Sequence, residues 1–170
     1  MPKIKRNVSK EIDIAKVRKD AMELFANGSF LCSEAVVYSL KQNVDPTMSD
    51  AFVSSASGFS RGVGGSSCMC AAVTGAVVAL GYFFGRTTPT TITDPESLKS
   101  LALAFELQEE FKKNNKSLCC HVHMKIADKA QVSHMNKCVN FVGDAAASMA
   151  KIVAREYKAS LINEEVHADV

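Results

Sequence analysis

Residues Ser60 to Arg86 read SRGVGGSSCMCAAVTGAVVALGYFFGR, and the reading of this stretch decides the fold. No charge falls between Arg61 and Arg86, five glycines lie from Gly62 to Gly81, and Cys68 and Cys70 stand where glycine gives way to an apolar run. A membrane span, a phosphate cradle and a buried metal or thiol site each produce such a pattern. The gap matches the roughly 20 residues a span needs, but its first third, GVGGSS, is polar loop chemistry; the ~15 apolar residues left make a buried helix. The small residues Ala71, Ala72, Thr74, Gly75, Ala76, Ala79 and Gly81 let neighbouring helices approach it closely. A Walker loop needs a lysine after Gly64-Gly65, and a dinucleotide fingerprint needs a preceding strand and a following acid; neither is present. The loop can instead supply backbone N–H groups at a helix start, which favour a thiolate at Cys68 or Cys70 and lower its pKa.

On either side the pattern is helical. Ser9 is placed to cap a helix carrying Ile14, Val17, Ala21, Leu24 and Phe25 at 3–4 spacing, ended by Asn27-Gly28. A second helix begins near Ser33 and stops before Asn43 and Pro46, and a short one spans Met48 to Ser57. The central core helix runs from about Cys68 to Phe84. Asp94 is a good N-cap with Pro95 at the first helical position, opening a helix with Leu98, Leu101, Phe105, Gln108 and Phe111 on one stripe to Asn114-Asn115. The last long helix, from Asn136 to Lys158, sets Cys138, Val142, Ala145, Met149, Ile152 and Val153 on one face. No alternating strand and no internal repeat stand out. The expectation is an all-α bundle of five to six helices, with the Gly-rich loop leading into a buried central helix.

With 170 residues the chain reads as one domain over 9–158, between a basic tail (1–8, with Lys3, Lys5 and Arg6) and a tail over 159–170 with Glu164, Glu165 and Asp169. A formal net charge of +2 gives no sign of nucleic-acid binding. The start, MPKIKRNVSKEIDI, lacks the apolar run of a secretory signal, so a cytoplasmic protein is expected. Six cysteines in that compartment favour metal ligation, thiol chemistry or plain burial over structural disulfides. Most of them fall at or near helix starts, where thiolate charge is best tolerated: Cys32, Cys68 and Cys70, and Cys138; Cys119 and Cys120 follow the helix that ends at Asn114-Asn115.

The ordered set resembles the redox-active protein family named for its signature C_GCAxxG_C_C. Cys32-Ser33-Glu34-Ala35-Val36 resembles the first cysteine element, and Ser57-Gly58-Phe59 through Gly64-Gly65-Ser66 the loop before the second. Cys70-Ala71-Ala72-Val73-Thr74-Gly75 is similar to the central element, with Ala71 where glycine is common. Read with glycine before the cysteine, Met69 departs from the signature and Gly75 falls one position late. Cys119 or Cys120 matches the third cysteine, and Cys138 with Val139, Val142, Ala145 and Ala146 the fourth. The resemblance runs from Phe30 to Ala154 and implies a redox or prosthetic-group protein, an oxidoreductase or electron carrier. A related domain in split-Soret cytochromes suggests a cysteine-bound iron–sulfur centre; this chain has no CxxCH for c-type haem.

That resemblance implies Cys32, Cys70, Cys119 or Cys120, and Cys138 around one centre, with the loop backbone of Gly62, Gly64, Gly65 and Ser66 beside it donating N–H···S bonds. The same thiols can instead form and break disulfides without metal. A third reading is a structural or sensory zinc site from Cys120, His123, His134 and Cys138, in which His134 and Cys138 share a helix face. Cys68, His121, His123 and His134 are weaker ligand candidates, and a mixed site would take His121 or His123. Glu34 is a solvated helix-start acid or a hydrogen-bond partner to the site, and Arg61 and Arg86 bound the uncharged segment. A redox partner protein is expected, no membrane span, and apolar helix faces without cover allow a homodimer.

Overall fold

The structure, a computed structural model, describes residues 6–164. Lys3 and Lys5 of the basic start, and Glu165 and Asp169 of the acidic end, lie outside the described residues. Strand β1 (Glu11–Asp13) leads into α1 (Ile14–Ala26), α2 (Cys32–Asn43) and the short α3 (Asp50–Ser54). A 3-10 turn at Ser57–Phe59 and a kinked single turn, α4 (Ser60–Val63), carry the chain to α5 (Ala71–Phe84). Helices α6 (Pro95–Asn115), α7 (Cys120–Lys129) and α8 (His134–Tyr157) follow, and β2 (Ser160–Ile162) ends the sequence of elements. The protein is all-α apart from one small sheet.

That sheet differs from the sequence expectation. β1 and β2 pair in parallel, Ile12 opposite Leu161, with Ile12 fully buried. Three-residue strands are too short to show an alternating pattern. Residues 160–162, at the start of the segment read as a C-terminal tail, thereby join the core. The cap of α1 moves as well. Asp13 accepts the Lys16 N–H at 2.9 Å, while the Ser9 N–H goes to the Val44 carbonyl at 2.8 Å.

The start of α6 agrees with its reading: Asp94 accepts the Ser97 N–H at 3.0 Å and Pro95 occupies the first turn. Its buried stripe agrees only at Phe111. Leu103, Leu107 and Phe111 face the core, while Leu98, Leu101 and Phe105 are at least half exposed. Both stripes are apolar at helical spacing, so periodicity alone cannot choose between them. In α8 the run Ala145, Ala146, Ala147, Met149, Ala150 is buried on several sides, not on the single predicted face. Small residues there let α1, α2, α5 and α6 all pack against α8.

The direction of the helices positions the site. At one end, Asp45 just past α2 accepts the hydroxyl of Tyr82, near the end of α5, at 3.1 Å. Tyr157, the last residue of α8, donates its hydroxyl to the Phe83 carbonyl at 3.0 Å. The ends of α2, α5 and α8 therefore meet there, and their starts, which carry Cys32, Cys70 and Cys138, gather at the other end.

Candidate thiol centre

The thiol end is built by stitching two short segments together. The Cys70 N–H bonds the Leu118 carbonyl at 2.7 Å, the Cys120 N–H bonds Cys68 O at 3.0 Å, and the His121 N–H bonds Ser67 O at 2.9 Å. Met69 and Cys119 form the antiparallel bridge at its centre. This extended segment occupies the residues expected to begin the central helix, so α5 starts at Ala71 with Cys70 as its N-cap. Side chains alternate along extended backbone. Cys119 therefore lies beside Met69, and Cys120 turns to the opposite side, into the protein.

Glycine makes the approach of these segments feasible at two points. A Cβ on Gly62, whose φ is +72°, would sit 2.6 Å from Ser67 Cα and 3.0 Å from the Cys120 Cβ. A Cβ on Gly75 would sit 2.5 Å from the Ser33 carbonyl, so α5 crosses α2 one residue beyond Cys32. The Ser33 hydroxyl donates to Ala56 O at 2.8 Å and shares a 2.7 Å bond with the Ser60 hydroxyl, holding the preceding turn. The loop also stores strain: Arg61, Val63 and Ser67 are non-glycine residues at φ of 57°, 65° and 57°. Of its N–H groups, that of Ser66 bonds the Val63 carbonyl and that of Cys68 the Gly62 carbonyl, both at 3.1 Å. The N–H groups facing the Cys70 sulfur belong instead to Ala72 and Val73, in the first turn of α5.

Burial and mutual repulsion set the electrostatics of these thiols. Burial pushes the Cys70 thiol up to about 12, the N–H groups of Ala72 and Val73 pull against it, and repulsion from Cys138 and Cys120 adds to it. Cys138 is pushed up to about 11, first by burial and then by Cys32 and Cys120. Cys120 is raised by burial, by Cys32 and by its neighbour Cys119. Cys120 thus lies within electrostatic reach of Cys32, Cys70 and Cys138, as well as of its neighbour Cys119. All six cysteines are free. Cys68 is exposed, and Cys119 makes only a long contact with Ser67 O at 4.0 Å. The expected lowering of the Cys70 pKa by loop and helix dipole is thereby overturned, because desolvation of a thiolate outweighs both.

The histidines are not gathered with these thiols into an ion site. His123 is 2% exposed, its ring 4.2 Å from that of Phe141 and 6.2 Å from that of Phe111. It bonds the Ser117 backbone, its Nε2 has no partner, and burial holds its pKa below the ordinary value despite that bond. His134 Nε2 lies 2.6 Å from Asp128 at the exposed end of α7. His121 is exposed. Among the described residues, no three His, Cys, Asp or Glu side chains are close enough together to hold a single metal ion.

Glu34 caps α2 through the Leu31 N–H at 2.8 Å and accepts the Ser57 hydroxyl. Arg61 is exposed, and Arg86 is engaged by the carbonyls of Thr90 and Thr91. Sequence reasoning left α7 and the bridge at Met69 and Cys119 unread. The only local signal for them is the polar break Lys116-Ser117 after α6. No helix among the described residues is long and apolar enough to cross a membrane.

A family model described as "Putative redox-active protein (C_GCAxxG_C_C)" matches residues 30–152, which include all six cysteines, the glycine loop and most of α8. No curated protein and no solved structure matches the chain.

Proposed function

The chain belongs to that redox-active family, and on this premise we propose that Cys32, Cys70, Cys120 and Cys138 form one electron-transfer centre holding an iron–sulfur cluster. What supports this reading is the electrostatic coupling of these four thiols through Cys120, with α2, α5 and α7 beginning at or beside Cys32, Cys70 and Cys120. Three helix starts direct their positive ends toward a centre whose ligands are anionic. The donor set also fits: four cysteines and no carboxylate are what iron–sulfur clusters take. A single tetrahedral ion requires all its sulfurs about 2.3 Å from one point, whereas a multi-iron cluster takes its thiolates on different irons and suits wider spacing.

Burial then acquires a use. Burial favours the protonated forms of Cys70, Cys120 and Cys138, and a bound metal would deprotonate its thiol ligands outright and offset their mutual repulsion. The N–H groups of Ala72 and Val73 next to Cys70 are placed to tune the potential of such a centre. The same burial weighs against metal-free thiol exchange, which requires an accessible thiolate near neutral pH. The test is purification without air from cells that build clusters, followed by a visible spectrum and assays for iron, acid-labile sulfide and zinc. The expected result is broad visible absorbance with iron and sulfide in matching amounts. Zinc without colour would replace this reading with a structural metal site, and a colourless metal-free protein would replace it with thiol exchange.

A further inference from the structure

Charge is distributed unevenly along this chain. Between Lys112 and Lys137 it carries six lysines and one acidic residue, Asp128, while the whole chain holds 20 basic and 18 acidic residues. Asp128 is engaged by His134 at 2.6 Å, and Lys112 lies 3.5 Å from Glu109. Lys113, Lys116, Lys125, Lys129 and Lys137 have no acidic partner among the described residues.

Several cations flank the thiol-bearing segments. Lys137 immediately precedes Cys138, and Lys116 ends α6 just before the segment that bonds Cys70 and Cys68. Arg61, exposed, precedes the glycine on which the Cys120 Cβ rests. On α7, which starts at Cys120, the residues Val122, Lys125, Ile126 and Lys129 share an exposed face opposite buried His123 and Ala127. Val122 and Ile126 are 40% and 42% exposed, an apolar strip between cations.

We propose that the outer face of α7, with Arg61, Lys116 and Lys137 around it, docks an acidic electron-transfer protein. An apolar strip with a charged rim is the usual layout of a specific interface. A one-signed field at its rim speeds encounter with an oppositely charged partner and orients it. The inference rests on the redox reading above, which requires a partner to come close to these thiols. In the docked pair one electron leaves the reduced carrier and enters the oxidised centre, and no atom is transferred. Docking itself depends on charge and shape, not on whether the centre is filled.

The experiment measures binding of the full chain by calorimetry, at low and at high salt. A plant-type ferredoxin serves as the acidic probe and a c-type cytochrome as the basic one. Ferredoxin is expected to bind at low salt and to weaken as salt rises, and the cytochrome is not. The Lys125→Glu/Lys129→Glu double variant, checked for an unchanged helical spectrum, should bind ferredoxin about tenfold more weakly or worse. Lys10→Glu, at the opposite end of the bundle, should bind as the parent does.

Ferredoxin binding no stronger than that of the cytochrome, or insensitive to the double variant, would overturn the proposal. So would tighter binding to phosphatidylserine vesicles than to ferredoxin, which would make a lipid surface the partner. If ferredoxin docks as described but protein purified without air from cluster-building cells holds no iron or sulfide, the cluster reading fails and the docking surface stands.

Discussion

The two ends of the bundle treat their polar groups in opposite ways. At the end where α2, α5 and α8 finish, every polar group of the buried network is paired. Asp45 is fully buried and accepts from the Asn7 N–H at 3.1 Å, the Thr47 N–H at 3.0 Å and the hydroxyls of Thr47 and Tyr82. Arg6 donates to the Tyr82 carbonyl at 2.7 Å and lies over the Tyr82 ring. At the end where the same helices begin, Cys32, Cys70, Cys120 and Cys138 are free thiols, His123 keeps an orphan nitrogen, and three non-glycine residues of one loop, Arg61, Val63 and Ser67, sit in the left-handed region, against Lys158 and Asn163 beyond α8. One end is built for stability. The other holds strain and unsatisfied groups, which persist where the surrounding structure over-determines them and which mark functional sites.

Substitutions can separate the two ends. The largest effect is expected from Gly62→Ala, whose Cβ meets the Ser67 backbone and the Cys120 side chain. A loss of about 3 kcal/mol in urea unfolding is expected, whereas Gly58→Ala, with open space around it, should be near neutral. Equal stability of Gly62→Ala and the parent would mean that the two thiol segments are not held as closely as described.

Asp45→Ala comes next, at about 2 kcal/mol, because it strands the buried hydroxyl of Tyr82 and removes the acceptor of the Asn7 and Thr47 N–H groups. Its pH dependence has a definite sign. Burial raises the Asp45 pKa, but its hydrogen bonds from Thr47, Asn7 and Tyr82 outweigh that and hold it below the ordinary 3.8. A lowered carboxyl pKa contributes stability above 3.8 that is lost as the pH falls through the folded-state value. His123, lowered by burial from the ordinary 6.5, contributes a loss that begins at higher pH, as acidification passes 6.5. Urea midpoints followed from neutral to acid pH should therefore fall in two stages. Asp45→Asn should shrink the lower stage, to which Glu106 and Glu156 also contribute, and His123→Phe should remove the upper; a profile unchanged in both variants would contradict the assignment.

The smallest effect is a gain. Val63 is β-branched, 42% exposed and held at φ 65°, so Val63→Gly should stabilise by about 0.5–1 kcal/mol. A loss of stability would mean that its packing outweighs its strain.

What the sequence revealed and what it hid follow from range. The Asp94-Pro95 cap was legible because its donor and acceptor lie three residues apart. The all-α class and the buried helix after Cys70 were legible from periodicity and from a run of residues without charge. The α6 stripe was misread because Leu98, Leu101 and Phe105 have the same spacing as a core face, and only the neighbours α5 and α8 decide which leucines are covered. Cys119 and Cys120 could not be told apart locally, since what separates them is a bridge to Met69, fifty residues away in sequence. Gly62 was read as a backbone donor, whereas its larger role is to leave room for Cys120, a contact that only the fold creates.

That distinction between neighbouring cysteines gives the most direct test of the central claim, that Cys32, Cys70, Cys120 and Cys138 form one centre. Cys119→Ser and Cys120→Ser proteins, purified without air beside the parent, would be assayed for iron, sulfide and visible absorbance. The account predicts that Cys120→Ser loses most of its iron and colour while Cys119→Ser keeps both. Loss in Cys119→Ser with retention in Cys120→Ser would contradict it.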